Sequence, residues 1–444
     1  MTRPRPLAAG FPVFTEADWR AALARTRAGG TGPERESAVI VHPRRAWAHA
    51  IVGRPLGVPW QIVQRVDADA GPVAAVAIAA DIGNGATGAE ISFAGSMHPL
   101  ARGLPAGAAA AVAKALMGTP NRFHLRIDGA DPATESIFLD VAAKRHAELV
   151  LARDPIAALA INGKGEVDGA RIEASAKAFD LKRVKGAVVI ADGRMWNAGG
   201  ATEEQELAAT LATFVAMLRL LDAPERIAVA LAADADQFRG IAKLRAMRLL
   251  LARIGEVAGL TLAPHIHVET AWRVLSARDP EMNILRGTTA AFAAAVGGAN
   301  SITVLPFDVL ATKINSQGRR LARNTQVILA EEAHLFRVAD PAAGSGAIEA
   351  LTDSLAETAW KRFQRIEAAG GVVAAITEGS LLRDVAEARE ARIASAASGE
   401  TKIVGVNAYA EGQTAPANVR RMPAGPSARL VFNRVAEIFE AGAG

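Results

Sequence analysis

The chain has 444 residues, 50% hydrophobic and 22% charged, a balance typical of a globular protein rather than a disordered one. Its 50 Lys and Arg against 46 Asp and Glu give a net charge of only +4, which gives little support to nucleic-acid binding. Cysteine is absent, which excludes disulfides and thiolate metal sites and suits a reducing compartment. The start lacks the apolar core of a signal peptide, and the apolar runs are shorter than the ~18–20 residues that span a bilayer. We therefore expect a cytoplasmic protein.

The first segment, residues 1–70, is predicted to be an amino-terminal arm and linker. Thr15 is placed to cap a short amphipathic helix. The apolar side of that helix would consist of Phe14, Trp19, Ala22 and Leu23. Because the arm precedes a Pro-rich linker, Trp19 is a candidate contact for a partner protein, with core packing as the alternative.

From about residue 72, short apolar runs alternate with helical stretches. The predicted strands are AEISFA (89–94), FHLRID (123–128), ALAIN (158–162), AVVIAD (187–192), RIAVALA (226–232), PHIHVE (264–269), SITVLP (301–306) and LFRVAD (335–340).

One of the intervening helices, FRGIAKLRAMRLLLARIG, places Phe238, Ile241, Leu244 and Leu251 near one face and Arg245 elsewhere. Eight strands, each followed by a helix, predict an α/β fold, a (β/α)8 TIM barrel over residues 71–371. An open doubly wound sheet would give a similar alternation, but the strand count and the length favour the barrel. Residues 372–444 are predicted to be a short helical and linker segment that leaves the barrel.

Several motifs in order carry a resemblance to known proteins. They are FPVFTEADWRAAL at the head, PWQIVQRVD (59–67), NILRGTTAAFAAAVGGANSITVLPFD, and ARNTQVILAEE followed by VADPAAGS. On these motifs the chain resembles, along nearly its whole length, the methylmalonyl-CoA mutase family of cobalamin-dependent acyl-CoA mutases. Within that family it is most similar to the small subunits.

The resemblance implies a barrel whose axis is threaded by the CoA chain and whose carboxyl end is capped by a cobalamin-binding domain. That domain is expected to be absent here. The resemblance further implies a non-catalytic small (beta) subunit in a heterodimer. Its partner would be a large catalytic subunit that carries adenosylcobalamin and interconverts methylmalonyl-CoA and succinyl-CoA, an isomerase reaction of propionate metabolism.

Two positions beside the substrate in catalytic members differ here. The family's Tyr follows a Pro-Trp-x-x-x-Gln run, and Arg65 stands at that position. The family's His corresponds to Met195, whose thioether cannot donate a proton or a strong hydrogen bond. The only tyrosine, Tyr409, lies beyond the barrel. Arg65, Arg194 and Met195 are therefore predicted to be vestigial pocket positions, with no catalytic residue. A solvated strand end is an equal alternative for Arg194.

Cobalamin binding in the family uses an Asp-x-His-x-x-Gly motif. The eight histidines are His42, His49, His98, His124, His146, His265, His267 and His334, and none has Asp two residues before it. We therefore expect no cofactor to be bound by this chain.

Other patterns have simpler interpretations. His265, His267 and Glu269 alternate along one strand face, but barrel lining is favoured over metal binding, and no metal ligands are predicted. The Gly-rich runs VGGAN (296–300) and IGNGAT (82–87) are predicted to be turns. The run VADPAAGS would follow the eighth strand at the carboxyl rim of the barrel. There it would either border the functional site or serve only as scaffold. Trp360 and Phe363 are either partner contacts or core.

Two other functions remain open. The chain could be the barrel of a split acyl-CoA mutase that pairs with a separate cobalamin-domain protein. It could also be a scaffold that binds a CoA thioester without chemistry. An axis lined by small polar side chains would favour the scaffold, and an axis filled by bulky ones would count against it.

Overall fold

The computed structural model describes residues 51–100, 102–119, 123–163, 184–221, 223–311, 315–410 and 429–440, with residues 15, 17, 18, 21 and 25 of the arm. In the arm, Thr15 Oγ1 accepts a hydrogen bond from the Asp18 backbone N–H at 3.2 Å, so the predicted helix cap is confirmed. Phe14, Trp19, Ala22 and Leu23 lie outside the described residues. Within the described ranges, no helix combines the length and the apolar character needed to cross a bilayer.

Nine strand segments form one parallel sheet. They are β1 (Gln61–Val66), β2 (Gly88–Ser92), β3 (His124–Asp128), β4 (Glu148–Leu151), β5 (Lys185–Ala187), β6 (Val189–Asp192), β7 (Ile227–Ala233), β8 (Ile266–Thr270) and β9 (Ser301–Thr303). The order β5-β4-β3-β2-β1-β9-β8-β7-β6 joins the first strand to the last. The sheet therefore curls into a barrel.

The fifth barrel strand is interrupted at Val188. Its first half, β5, pairs with β4, whereas its second half, β6, pairs with β7. The Val188 N–H donates to Arg226 O, and the Ile190 N–H donates to Arg153 O, both at 2.9 Å. These bonds link the two edges, so nine segments act as the eight strands of a TIM barrel. The predicted fold class is confirmed.

Gly186 permits this interruption. Its φ of 140° lies in a region that side chains rarely adopt, and an added Cβ would lie 1.7 Å from Leu149 O. Only glycine allows the backbones of β5 and β4 to approach this closely.

The helices lie outside the sheet. They are α1 (Gly71–Gly83), α2 (Ala109–Met117), α3 (Pro132–Arg145), α4 (Pro155–Asn162), α5 (Arg194–Ala198), α6 (Glu203–Leu220), α7 (Gln237–Ala258), α8 (Met282–Val296), α9 (Ser316–Glu331), α10 (Gly346–Ala368), α11 (Val372–Thr377), α12 (Ser380–Ala397) and α13 (Glu437–Glu440). The main hydrophobic core fills the layer between these helices and the outer face of the sheet. Phe363 belongs to this core, and Trp360 packs against it, which favours the core interpretation of that pair.

Two predicted strands are wrong. ALAIN (158–162) is part of helix α4, because Asp154 caps that helix by accepting from the Ile156 and Ala157 N–H groups, and Pro155 occupies its first turn. LFRVAD (335–340) contains a single 3-10 turn, Leu335–Arg337, and no strand.

VADPAAGS consequently does not lie at a barrel rim. Asp340 forms a buried ion pair with Arg245 of helix α7, and Ala342 packs against Ile241 of the same helix. The segment is scaffold on the outside of the barrel.

Two strands were missed. β1 lies inside the run PWQIVQRVD, so the barrel begins before the predicted boundary at residue 71. β4 is only four residues long, and it follows a helix that ends at His146 with a left-handed backbone. The six other predicted strands are confirmed within a few residues, and the two Gly-rich runs are turns, with φ of 107° at Gly85 and 90° at Gly298.

Candidate functional site

The strand register brings charged side chains together on the barrel axis. Arg65 of β1 lies beside Glu90 of β2, which in turn lies beside Arg126 of β3. Alternate residues of a strand face the same side, so these three side chains point inward at one level. Glu90, Arg126 and His267 of β8 are each 0% exposed.

Glu90 is the centre of this group. Its Oε1 accepts from Arg65 Nη1 at 2.8 Å, and its Oε2 accepts from Arg126 Nε at 3.0 Å. Arg194 Nη1 donates to Glu90 Oε1 at 3.4 Å, and His267 Nε2 lies 3.5 Å from Glu90 Oε2. We call these five residues the axial cluster.

The protonation state of the cluster follows from its charges. Burial by itself raises the pKa of Glu90, but Arg194, Arg126 and Arg65 outweigh burial and hold that pKa well below its usual range. Burial lowers the pKa of Arg194, but Asp192, Glu90 and Glu269 outweigh it and raise the pKa. Glu90 and Arg194 are therefore ionised around neutral pH, whereas burial, the largest effect, lowers the pKa of His267 well below its usual range, so that this imidazole is neutral there.

A second set of polar contacts lies nearer the carboxyl end of the strands. Arg194 Nη2 pairs with Asp192 Oδ2 at 2.7 Å, and Arg194 Nη1 lies 3.5 Å from Glu269 Oε2. His98 Nε2 lies 2.5 Å from Glu269 Oε1, and Ser96 donates to Asp128. Through these contacts, the polar side chains at this end of the barrel are paired with one another.

A cavity that the described residues form at the carboxyl end is small. It has a volume of about 30 Å³ and is bounded by His98, Asp128, Asp192, Arg194 and Met195, among other residues. This volume is room for about one water molecule. A thioester could enter only if these side chains moved.

The opposite half of the interior is apolar. Val150, Ala152, Ala187, Ile190, Ala228 and Ala230 form a separate buried cluster. Strands β4 to β7 thus fill most of their half of the barrel with aliphatic side chains, with Asp192 at the end of β6 as a charged exception, while β1, β2, β3 and β8 supply the strand residues of the axial cluster.

The predicted pocket positions lie together but are not solvated. Arg65 and Arg194 both contact Glu90, and Met195 is 4% exposed beside the small cavity. The interpretation of Arg194 as a solvated strand end is wrong, since that residue is 6% exposed. Tyr409 is 78% exposed in the segment after helix α12, so it does not substitute for the missing Tyr.

Sequence reasoning missed Glu90, Arg126 and Asp192. The sequence did contain a signal for these three residues, because each charged residue occupies a predicted strand that is otherwise rich in apolar residues (AEISFA, FHLRID, AVVIAD). In the closed barrel, an inward charge has to find a partner within the barrel.

The alternating residues on β8 have separate partners. His265 Nε2 and His267 Nδ1 each lie 2.8 Å from Ser301 Oγ, whereas Glu269 pairs with His98. The three face the axis, as predicted, but they do not converge on one point.

The carboxyl end does not match the residues that hold the family's cofactor. The side chains of Leu100, Ala198, Trp272, Leu275, Leu305 and Leu310, all in segments that follow strand ends, form an apolar cluster there. No histidine in the sequence follows Asp by two positions. The sequence thus contains no histidine in the pattern with which the family holds cobalamin.

A parallel eight-stranded barrel surrounded by helices, with ion pairs across its axis, defines a TIM-barrel protein. The family model described as methylmalonyl-CoA mutase matches residues 176–439, more than half of the sequence. The chain belongs to the methylmalonyl-CoA mutase family.

Three curated relatives illustrate the similarity. The probable methylmalonyl-CoA mutase small subunit of Mycobacterium tuberculosis (strain ATCC 25618 / H37Rv) is 45% identical over 236 residues, which cover 50% of this chain and 38% of the relative. The methylmalonyl-CoA mutase small subunit of Streptomyces virginiae is 41% identical over 259 residues, 56% of this chain and 42% of the relative. A methylmalonyl-CoA mutase of Rhizobium meliloti (strain 1021) is 37% identical over 222 residues, 47% of this chain and 31% of the relative. The matched region thus spans less than half of each relative.

Proposed function

We propose that this chain is the small, non-catalytic subunit of a heterodimeric methylmalonyl-CoA mutase. Its partner would be a large subunit that carries adenosylcobalamin and interconverts methylmalonyl-CoA and succinyl-CoA in the cytoplasm. The names and identities of the small-subunit relatives support this assignment. The cofactor on the partner would supply the radical chemistry, and this chain would supply a folded surface that stabilises the partner.

The axial cluster carries the argument that the chain itself is inactive. The Arg65 guanidinium is committed to Glu90 at 2.8 Å and stays charged at any ordinary pH, so it cannot act as a general acid. Met195 offers only a thioether. Loss of one polar donor beside a reacting carbonyl costs about two to four orders of magnitude in rate, and both family positions are changed here.

The same cluster counts against the two alternatives. Glu90, Arg126 and His267 lie across the axis with 0% exposure, where a CoA chain would have to pass. A scaffold for CoA thioesters would need that passage open. A split mutase would need both the passage and the polar groups at positions 65 and 195.

The test is mutase turnover of methylmalonyl-CoA with adenosylcobalamin, for this chain alone, with a separate cobalamin-domain protein, and mixed with its large partner. We expect turnover only in the mixture with the large partner. Arg65→Lys, which keeps the charge near Glu90, and Met195→Leu, which keeps the volume, should leave kcat of that mixture within about twofold of wild type.

Thermal melting of each variant checks that it is folded before the assay. Turnover by this chain alone would contradict the proposal and favour a catalytic barrel. Turnover with the cobalamin-domain protein alone would establish the split mutase. Saturable binding of CoA by the isolated chain would instead support the scaffold.

A further inference from the structure

A second, larger cavity opens at the amino end of the barrel, away from Arg194 and Met195. Its volume is about 510 Å³, and Glu148, Lys185, Arg226, His265 and Asn300 are among the residues that line it. None of these residues belongs to the axial cluster. The proposed role as a small subunit does not involve this cavity.

Three potential metal ligands lie close together here, and two of them, Glu148 and His265, line the cavity. His124 begins β3, Glu148 begins β4 beside it in register, and His265 immediately precedes β8. One ligand atom from each of the three lies within 4.8 Å of the others. Glu148 Oε2 is 3.7 Å from His124 Nδ1, and Glu148 Oε1 is 3.6 Å from His265 Nδ1.

These separations are close to those of a filled coordination sphere. Tetrahedral zinc with Zn–N and Zn–O bonds near 2.0–2.2 Å has neighbouring ligand atoms about 3.4 Å apart. The two distances to Glu148 exceed that value by only a few tenths of an ångström. The spacing of the ligand atoms therefore suits a single ion, provided that the rings are turned towards it.

His124 gives an independent indication of a ligand. It is 2% exposed, yet among the described residues neither of its ring nitrogens has a hydrogen-bond partner. The nearest carboxylate oxygen, at 3.7 Å, is too far for a hydrogen bond. Burial of an unpaired polar ring is costly, and a bound cation would satisfy it.

The other histidine is already oriented. His265 Nε2 lies 2.8 Å from Ser301 Oγ, a contact that fixes the ring and leaves Nδ1 towards Glu148.

We propose that His124, Glu148 and His265 bind a divalent transition-metal ion of the zinc or iron(II) class at the amino end of the barrel. Two imidazoles and one carboxylate are a ligand set that these ions use with positions left open. Glu148 is 46% exposed at the cavity, so the open positions face water or a small ligand in the cavity.

Binding requires one ring to turn. The two imidazoles are stacked with centroids 4.7 Å apart and planes 6° apart. Parallel rings cannot both direct a nitrogen lone pair at one point. His124 is the ring free to rotate, because Ser301 holds His265. The bound ion would then tie β3, β4 and β8 together across the mouth of the barrel.

The experiment titrates the full chain, without a histidine tag and after dialysis against a chelator, with Zn²⁺ by calorimetry and with Co²⁺ by visible absorption. We expect one ion per chain, visible d–d bands with Co²⁺, and a rise in melting temperature with Zn²⁺. Glu148→Gln and His265→Asn should each weaken binding at least about tenfold and abolish that rise.

The matched control is His334→Asn. His334 is an exposed histidine with φ of 55°, a conformation that Asn tolerates, and it should bind as wild type does. The proposal is overturned if no saturable binding is measured. It is also overturned if Glu148→Gln and His265→Asn bind as tightly as wild type, or if His334→Asn weakens binding as much as they do. Because the readout is metal binding and melting, it is independent of mutase activity.

Discussion

The Glu90 side chain connects the charged groups in the interior of this barrel. It is 0% exposed and contacts Arg65, Arg126 and Arg194. A buried ion pair contributes little net stability compared with apolar packing, but removal of one partner leaves an uncompensated charge in a place that water does not reach. Loss of Glu90 would therefore destabilise the fold, because three buried guanidinium groups would remain without the carboxylate that they share.

We expect Glu90→Gln to lower the free energy of unfolding by about 3–5 kcal/mol, because three buried cations lose their shared carboxylate. The measurement is urea denaturation at pH 7. The matched control is Glu256→Gln, since Glu256 is 66% exposed in its pair with Arg253 and should change stability by no more than about 0.5 kcal/mol.

Lowering the pH tests the same charge without a change in volume. The three arginines, against the effect of burial, hold the pKa of Glu90 below its ordinary value of 4.5. Its contribution is therefore present above that value and is lost as the pH falls through the lowered pKa. The stability difference between wild type and Glu90→Gln should shrink from about pH 6 to about pH 3. A difference that stays constant would mean that the pKa of Glu90 is the same in the folded and unfolded states, and a difference that grows would mean that Glu90 is already protonated in the fold.

At the scale of single elements, the start of a helix shows a local signal that the apolar pattern does not contain. Helix α6 begins at a capping box: Thr202 Oγ1 accepts from the Gln205 N–H at 3.3 Å, and Gln205 Oε1 accepts from the Thr202 N–H at 2.8 Å. Gln205 Nε2 also donates to Asp384 O, which attaches helix α12 to the barrel.

Thr202→Ala should lower the free energy of unfolding by about 1 kcal/mol, because it removes the cap and frees Gln205. Chemical denaturation measures the change. Thr377→Ala removes a hydroxyl that donates to Val373 O at the exposed end of helix α11, and it should cost less than about 0.5 kcal/mol. Equal losses in the two variants would argue that the capping box is not formed.

Helix α7 shows what periodicity can and cannot predict. Ile241, Leu244 and Leu251 are buried, as the apolar pattern predicted, but Phe238 is 46% exposed. Arg245, on another face, is completely buried and pairs with Asp340 and Glu349. The pattern identified three buried positions, but nothing local indicates that α10 covers the face that carries Arg245.

On the scale of the whole molecule, the segment 429–440 returns to the barrel. Arg434 forms two hydrogen bonds to Glu440, at 2.9 and 2.7 Å, and donates to Leu275 O at 3.0 Å. Both ionic side chains are nearly inaccessible, and the guanidinium lies over the Trp272 ring. This contact ties the last described helix to the carboxyl end of the sheet.

We expect Arg434→Met to cost about 3–5 kcal/mol, because it leaves the Glu440 carboxylate buried and unpaired. The double variant Arg434→Met with Glu440→Gln should recover part of that loss, since no buried charge then remains. Denaturation of both variants checks this. If the double variant were less stable than the single one, the pair would matter through its hydrogen bonds to the backbone rather than through charge.

The sequence by itself determined the family, through motifs in a fixed order, and the class of fold, through the alternation of strands and helices. It also predicted, from residue identity alone, that Arg65 and Met195 stand at the positions of the family's Tyr and His, and that assignment stays a prediction. The pairing of Glu90 with three arginines, the strand divided at Val188 and the meeting of His124, Glu148 and His265 were decided only by the tertiary structure. Each joins residues far apart in the chain, and only the register of the closed sheet brings them within contact distance.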